Sequence, residues 1–80
     1  MDMEELVRFI AKSLVDDPDS VEVSTKEEDG EMVIVLSVAQ SDMGKVIGRQ
    51  GRIAKAIRTV VKAAGVKEDR KYMVEIVEQA

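Results

Sequence analysis

The chain predicts a small α+β domain whose elements run helix, strand, strand, short helix, helix, strand. Three observations carry this. Apolar residues recur at helical spacing over residues 2–15 and 52–64. They take strand periodicity over 20–26, 32–38 and 71–78. An Asp29-Gly30 pair, a strong two-residue hairpin signal, sits between the first two strand segments.

The first helix spans Asp2 to Val15. Met3, Leu6, Val7, Ile10, Ala11, Leu14 and Val15 share one face. Asp2, with Glu5 three residues later, resembles a capping box with Asp in place of Ser or Thr. Pro18 stops the helix. In the first strand, Ser20 to Lys26, Val21, Val23 and Thr25 lie on one side. In the second, Met32, Ile34, Leu36 and Val38 face one way, and Val33, Val35 and Ser37 the other. Both faces are largely apolar, which suits a central strand or one that meets a partner. Ser41 or Asp42 is placed to cap a short helical turn through Ile47. The next helix runs from Arg52 to Ala64, with Gly65 in the C′ role. The last strand, Lys71 to Glu78, carries Tyr72, Val74 and Ile76 on one face. No repeat, linker or low-complexity tract interrupts the pattern, so residues 1–80 read as one domain.

A chain of this length buries only about 60% of its unfolded surface. That leaves one core and little room for a deep catalytic cavity. The chain has no Cys and no His. It therefore lacks a disulfide framework, a thiolate metal site, a Cys nucleophile, the commonest general base and the commonest transition-metal ligand. No cofactor, metal or small-molecule substrate is expected. No apolar run reaches membrane-spanning length and no signal peptide is evident, so a cytoplasmic location without membrane association is expected.

The net charge of −4 hides a lopsided distribution. Residues 1–42 hold twelve acids and three bases, whereas residues 43–80 hold nine bases and four acids. Met43 to Lys67 contains seven bases and no acid. A basic face on an acidic body guides a polyanion to one place and disfavours broad non-specific binding.

That basic region holds Gly44-Lys45-Val46-Ile47-Gly48-Arg49-Gln50-Gly51-Arg52-Ile53. Two glycines three apart let backbone turn sharply and approach a ligand closely. The helix behind them presents free N–H groups and a positive dipole end. On a wheel of about 100° per residue, Ile53, Ala54, Ala56, Ile57, Val60, Val61, Ala63 and Ala64 cover half the helix. Arg52, Lys55, Arg58 and Lys62 lie opposite. A merely solvated face would mix Glu with Lys; this one carries a single sign. A tight turn between helices would by itself need glycine, but the flanking cations favour a phosphate contact.

Other glycine motifs fit poorly. A nucleoside-triphosphate loop needs Lys-Ser or Lys-Thr after its last glycine, and here Arg52-Ile53 follows Gly51. A dinucleotide fingerprint needs glycine where Val46 stands, within a parallel βαβ unit. A helix-turn-helix DNA reader stays open, since two helices flank a glycine turn, although the first helix here is barely one turn long.

The run Val46-Ile47-Gly48-Arg49-Gln50-Gly51-Arg52-Ile53 resembles the signature of K-homology (KH) domains, whose G-x-x-G loop clamps about four single-stranded nucleotides. The element order looks like the bacterial, type II, form of that fold, a three-stranded sheet with helices on one face. In length, and from Gly44 to Lys62, the chain is most similar to the stand-alone bacterial KH proteins of the KhpA (YlqC) family. The resemblance implies binding of single-stranded RNA, a role as post-transcriptional regulator or RNA chaperone, and pairing as a homodimer or with a larger KH protein of the KhpB (Jag) type. It gives Gly48, Arg49, Gln50 and Gly51 the loop role, and has Val46, Ile47 and Ile53 pack the loop or floor the groove. Lys45, Arg49, Arg52 and Lys55 supply charge. The two aromatic residues, Phe9 and Tyr72, sit at apolar-patterned positions and are read as core, which disfavours an aromatic stacking platform.

Two rivals accompany this reading. One is an interaction module that keeps the fold mainly to pair, through Ala56, Val60 and Ala63 or through Val33 and Val35. The other is an enzyme. Ser41-Asp42 is the only nearby nucleophile–acid pair, it has no base, and helix capping explains it better.

Overall fold

The computed structural model describes residues 2–79. The elements are α1 (Met3–Leu14), β1 (Glu22–Glu28), β2 (Glu31–Val38), α2 (Met43–Ile47), α3 (Arg52–Lys67) and β3 (Tyr72–Glu78). Short 3-10 turns at Pro18–Ser20, Gln40–Asp42 and Arg49–Gly51 join them. The expected order is present throughout.

The α1 helix begins as its sequence implies. The Asp2 carboxylate accepts a hydrogen bond from the Glu5 N–H at 2.8 Å, which holds the carboxyl below its usual range. The helix buries Met3, Val7 and Ala11, with Leu6, Ile10 and Leu14 packed beside them. Phe9 lies off this stripe and is 64% exposed, so it is not a core residue. Two positions beyond Val7 the helix has turned about 200°, onto the solvent side.

β1 and β2 pair antiparallel, closing at Glu28 opposite Glu31. Asp29 (φ 53°) and Gly30 (φ 82°) form the two-residue turn, both in the left-handed region that such hairpins use. β3 pairs parallel to β2 on its other side, giving the order β1-β2-β3. The sheet is therefore mixed, and β2 is central.

Alternation on β2 divides the molecule. Ile34, Leu36 and Val38 are fully buried against the helices, with Val46 of α2, Ile57 and Val61 of α3 and Val74 of β3. Val33 and Val35 face away from the helices. Val33 is nevertheless only 6% exposed, since its cross-strand partners Lys26 and Met73 flank it. It is not open surface for pairing.

One expected helix end and one expected cap bond differ. α3 continues through Gly65 to Lys67, so Gly65 is not at C′. Its missing side chain serves packing: a Cβ there would sit 2.8 Å from the Arg70 carbonyl oxygen and 2.8 Å from Tyr72 Cδ2. The chain folds back over this gap, the N–H groups of Glu68 and Arg70 both donate to the Gly65 carbonyl, and Asp69 takes the positive φ of 57°. At α2, Asp42 stands at the N-cap position but makes no side-chain cap bond. Its carboxylate accepts from the N–H groups of Asp16 (3.1 Å) and Asp17 (3.0 Å), just past the end of α1. A buried polar group must be partnered, and the strand-like exit of α1 offers two free donors.

Candidate nucleic-acid interface

Gly48, Arg49, Gln50 and Gly51 connect α2 to α3 in a conformation that their residue types dictate. Gly48 has φ 77° and ψ 173°, a region essentially restricted to glycine. A Cβ on it would also lie 2.9 Å from the Ile53 backbone nitrogen. Gln50 (φ 58°) and Gly51 (φ 74°) both occupy the left-handed region. Short bonds close the turn: Gly48 N–H to the Gly44 carbonyl at 2.9 Å, and Gly51 N–H to the Gly48 carbonyl at 3.2 Å.

Gly51 is the N-cap of α3 and has no side chain to satisfy the first N–H groups of that helix. The first of them, the Arg52 N–H, donates to the Arg49 carbonyl within the turn, beside the exposed Arg49 and Gln50 side chains. The loop thus offers a helix N-terminus without a side-chain cap, its dipole and little steric cover, a combination suited to an anion.

The expected site residues fall into three groups. Arg49, Gln50, Arg52 and Lys55 are exposed around the loop, with one internal contact, Arg52 Nη2 to Gln50 Oε1 at 3.1 Å. Ile47, Gly48, Gly51 and Ile53 are half-buried, so the two isoleucines offer apolar surface beside the turn. Val46 is fully buried in the core and supports the loop from beneath.

Lys45 is exposed but engaged. Its ammonium lies 3.2 Å from the Asp16 carboxylate and 3.6 Å from that of Asp42. The hydrogen bond to Asp16, with the charges of both acids, raises its pKa above the usual lysine value. The N–H of Asp16, then that of Asp17 and the Lys45 ammonium, hold the Asp42 carboxyl below its usual range despite its burial. This cluster joins the α1 exit to α2 just before the loop. By contrast, none of Arg49, Arg52, Lys55, Arg58 and Lys62 makes an ion pair among the described residues. Their field is open to a ligand.

Arg58 extends the basic face. Its Nε donates to the Val74 carbonyl of β3 at 3.3 Å, bridging α3 to the strand edge. Its place on the cationic side of the helix was readable from spacing. Its contact with β3 depends on tertiary structure.

A family model described as KhpA/KhpB, KH domain, matches residues 4–76. The chain belongs to that family. A protein called RNA-binding protein KhpA from Clostridium acetobutylicum is 59% identical over 75 residues, covering 94% of this chain and all of the relative. Proteins of the same name from Listeria monocytogenes and Bacillus subtilis are 54% and 51% identical, over 95% and 92% of this chain. Members of the KhpA/KhpB KH family are non-enzymatic, and this chain is not an enzyme. The fold recurs in Era. Aquifex aeolicus Era bound to GDP.AlF4- superposes with a TM-score of 0.62 at 23% identity, over 94% of this chain and 29% of that one. Era in complex with MgGDPNP and a segment of 16S ribosomal RNA gives 0.64, also at 23% identity, with the same coverage. The architecture is the type II KH fold, as the element order predicted.

Proposed function

We infer that this KhpA/KhpB-family domain binds single-stranded RNA through the turn Gly48-Arg49-Gln50-Gly51 and the basic start of α3. The observation that carries the reading is the pairing of a helix N-terminus that no side chain caps with Arg49, Arg52 and Lys55, which make no ion pair among the described residues. The names of its relatives, RNA-binding protein KhpA, support the same ligand. Phosphates approach the turn because Gly48 and Gly51 carry no side chain. Arg49, Arg52 and Lys55 supply charge, and bases lie against Ile47 and Ile53. Residues 1–80 act as one cytoplasmic module, serving as a post-transcriptional regulator or RNA chaperone.

The test is Arg49→Asp with Gln50→Asp. Both side chains are exposed, so the fold should tolerate the change. Two carboxylates at the phosphate contact should abolish binding of a short single-stranded RNA in fluorescence anisotropy. Unchanged affinity with a native circular dichroism spectrum would refute the assignment. With two to four phosphates neutralised, log K against log salt should slope by roughly −1.4 to −3, and duplex DNA should compete poorly.

A second reading, pairing with another KH domain, rests on Val60. This apolar side chain is 45% exposed, and Ala56 and Ala63 are exposed beside it. A module of modest affinity gains by effective concentration when two are joined. A homodimer and a heterodimer with a larger KhpB-type protein both use such a surface.

A further inference from the structure

A cleft of about 450 Å³ opens at the opposite end of α3 from the glycine turn, between that helix and the start of β3. Its apolar walls are Val66, Tyr72 and Met73, and its charged rim is Lys62, Arg70 and Lys71, with Glu31 the single acid. Val66 is 77% and Met73 51% exposed. These are two of the four large apolar side chains exposed among the described residues, and both line this one cleft.

The walls are held in place. The Arg70 N–H donates to the Gly65 carbonyl at 2.9 Å, and the Lys71 carbonyl accepts from the Met32 N–H at 3.0 Å. The bare backbone of Gly65 lets Tyr72 and the Arg70 segment close against the helix. None of Lys62, Arg70 and Lys71 makes an ion pair among the described residues.

We propose that this cleft is a second RNA subsite, which holds an unpaired base of the same strand beyond the nucleotides clamped by the glycine turn. The proposal rests on the RNA-binding reading above. The cleft joins the turn through one continuous cationic face, Arg52, Lys55, Arg58 and Lys62, with about 15 Å of helix between its ends. A smaller cleft lined by Arg58, Lys62, Tyr72 and Met73 lies along the way. A nucleotide matches the lining in both halves: the flat base covers Val66, Tyr72 and Met73, and its phosphate meets Lys62, Arg70 and Lys71. An acidic peptide would satisfy the cations, but it would have no reason to continue along α3 to the turn.

The test compares four- and eight-nucleotide single-stranded RNAs by fluorescence anisotropy, with one chain per oligonucleotide confirmed by mass. Wild type should bind the longer RNA at least about fivefold more tightly, the lower end of a stacked base's contribution. Val66→Glu, at a solvent-facing helix position, should keep wild-type affinity for the four-nucleotide RNA and lose the gain. The double loop variant should lose both. A 4-thiouridine in the outer half of the longer RNA should crosslink to the segment from Val66 to Met73. Absence of the length gain in wild type, retention of it in Val66→Glu, or crosslinks confined to the loop would each overturn the subsite while leaving the loop assignment standing. Equal loss of both RNAs in Val66→Glu would overturn it as well, as would capture of an acidic peptide in place of the RNA gain. Failure of the loop variant to change four-nucleotide binding would instead remove the reading on which the subsite rests.

Discussion

The Lys45 ammonium sits 3.2 Å from the Asp16 carboxylate, so the first cation before the glycine turn is paired with an acid from just past the end of α1, distant in sequence but adjacent in space. An incoming phosphate must compete with that carboxylate. Replacing Asp16 with Asn removes the competitor and leaves the backbone N–H that Asp42 uses. Exposed ion pairs are weak, so RNA affinity should rise by no more than about fivefold, with a slightly steeper salt dependence. Anisotropy titrations at two salt concentrations read both. Unchanged affinity and slope would mean that Lys45 takes no part in binding.

The Asp42 carboxylate accepts two backbone N–H groups and faces Lys45, so it stabilises the fold while ionised. Its pKa is lowered from 3.8 in the folded chain. The stabilisation is therefore full above the ordinary carboxylate value and is lost as pH falls below it. Asp42→Asn replaces an acceptor with a donor against one of those N–H groups. The variant should melt at least about 5 °C lower at neutral pH. The gap to wild type should narrow on acidification below pH 4. Thermal melts across that range check the claim, and a constant gap would contradict it.

The two loop glycines are unequal. Gly51 needs only its positive φ, and a Cβ there meets open space. Gly48 needs its φ and also has Ile53 backbone in the way. Gly51→Ala should cost about 1 kcal/mol. Gly48→Ala should cost about 3 kcal/mol or more, adding a steric displacement to the strain. Urea denaturation of the two variants measures the difference, and equal midpoints would show that the turn adjusts freely.

Much of this architecture was legible because its causes are local. Asp2 caps α1 through a residue three positions away, and Asp29-Gly30 needs only its own dihedrals. The α3 charge segregation follows from helical spacing. The misread features answer to distant partners. Asp42 looked like a cap for α2, but its hydrogen bonds run to residues 25 and 26 positions earlier. Gly65 looked like a helix stop, yet its role is contact with Tyr72, which no local pattern encodes. Phe9 reads as core from its apolar character, yet the buried stripe Met3, Val7 and Ala11 leaves it outside. At the loop, residue types announced the turn and the open cations, but the engagement of Lys45 by Asp16 required the folded chain. Arg58 was visible as a basic-face residue, and its bond to β3 was not.

Gly65 also separates intrinsic propensity from packing. Within a helix, Ala is favoured over Gly by about 1 kcal/mol. Here a methyl group would lie 2.8 Å from both the Arg70 carbonyl oxygen and the Tyr72 ring, and one of those is backbone. Packing should win, so Gly65→Ala should destabilise the domain by about 2 kcal/mol. A stabilised variant in chemical denaturation would show that the α3–β3 connection is softer than its hydrogen bonds to Gly65 imply.

Val60 decides whether the helix surface serves pairing. It lies between the buried positions Ile57 and Val61 and the charged side of α3, and at 45% exposure it can accept a carboxylate without breaking the core. Val60→Glu should therefore fold with near wild-type stability, since exposed substitutions usually stay within about 0.5 kcal/mol. If Ala56, Val60 and Ala63 form the contact between two KH domains, the variant should sediment as a monomer where wild type associates. Its affinity for long RNA should fall through lost effective concentration, while a four-nucleotide RNA should bind as before because the glycine turn is untouched. Sedimentation of both proteins over a concentration series, alone and with a larger KH protein, separates the cases. A wild type that stays monomeric at high micromolar concentration in both settings removes this surface from consideration. An associated wild type whose Val60→Glu form also associates would move the contact elsewhere on the molecule.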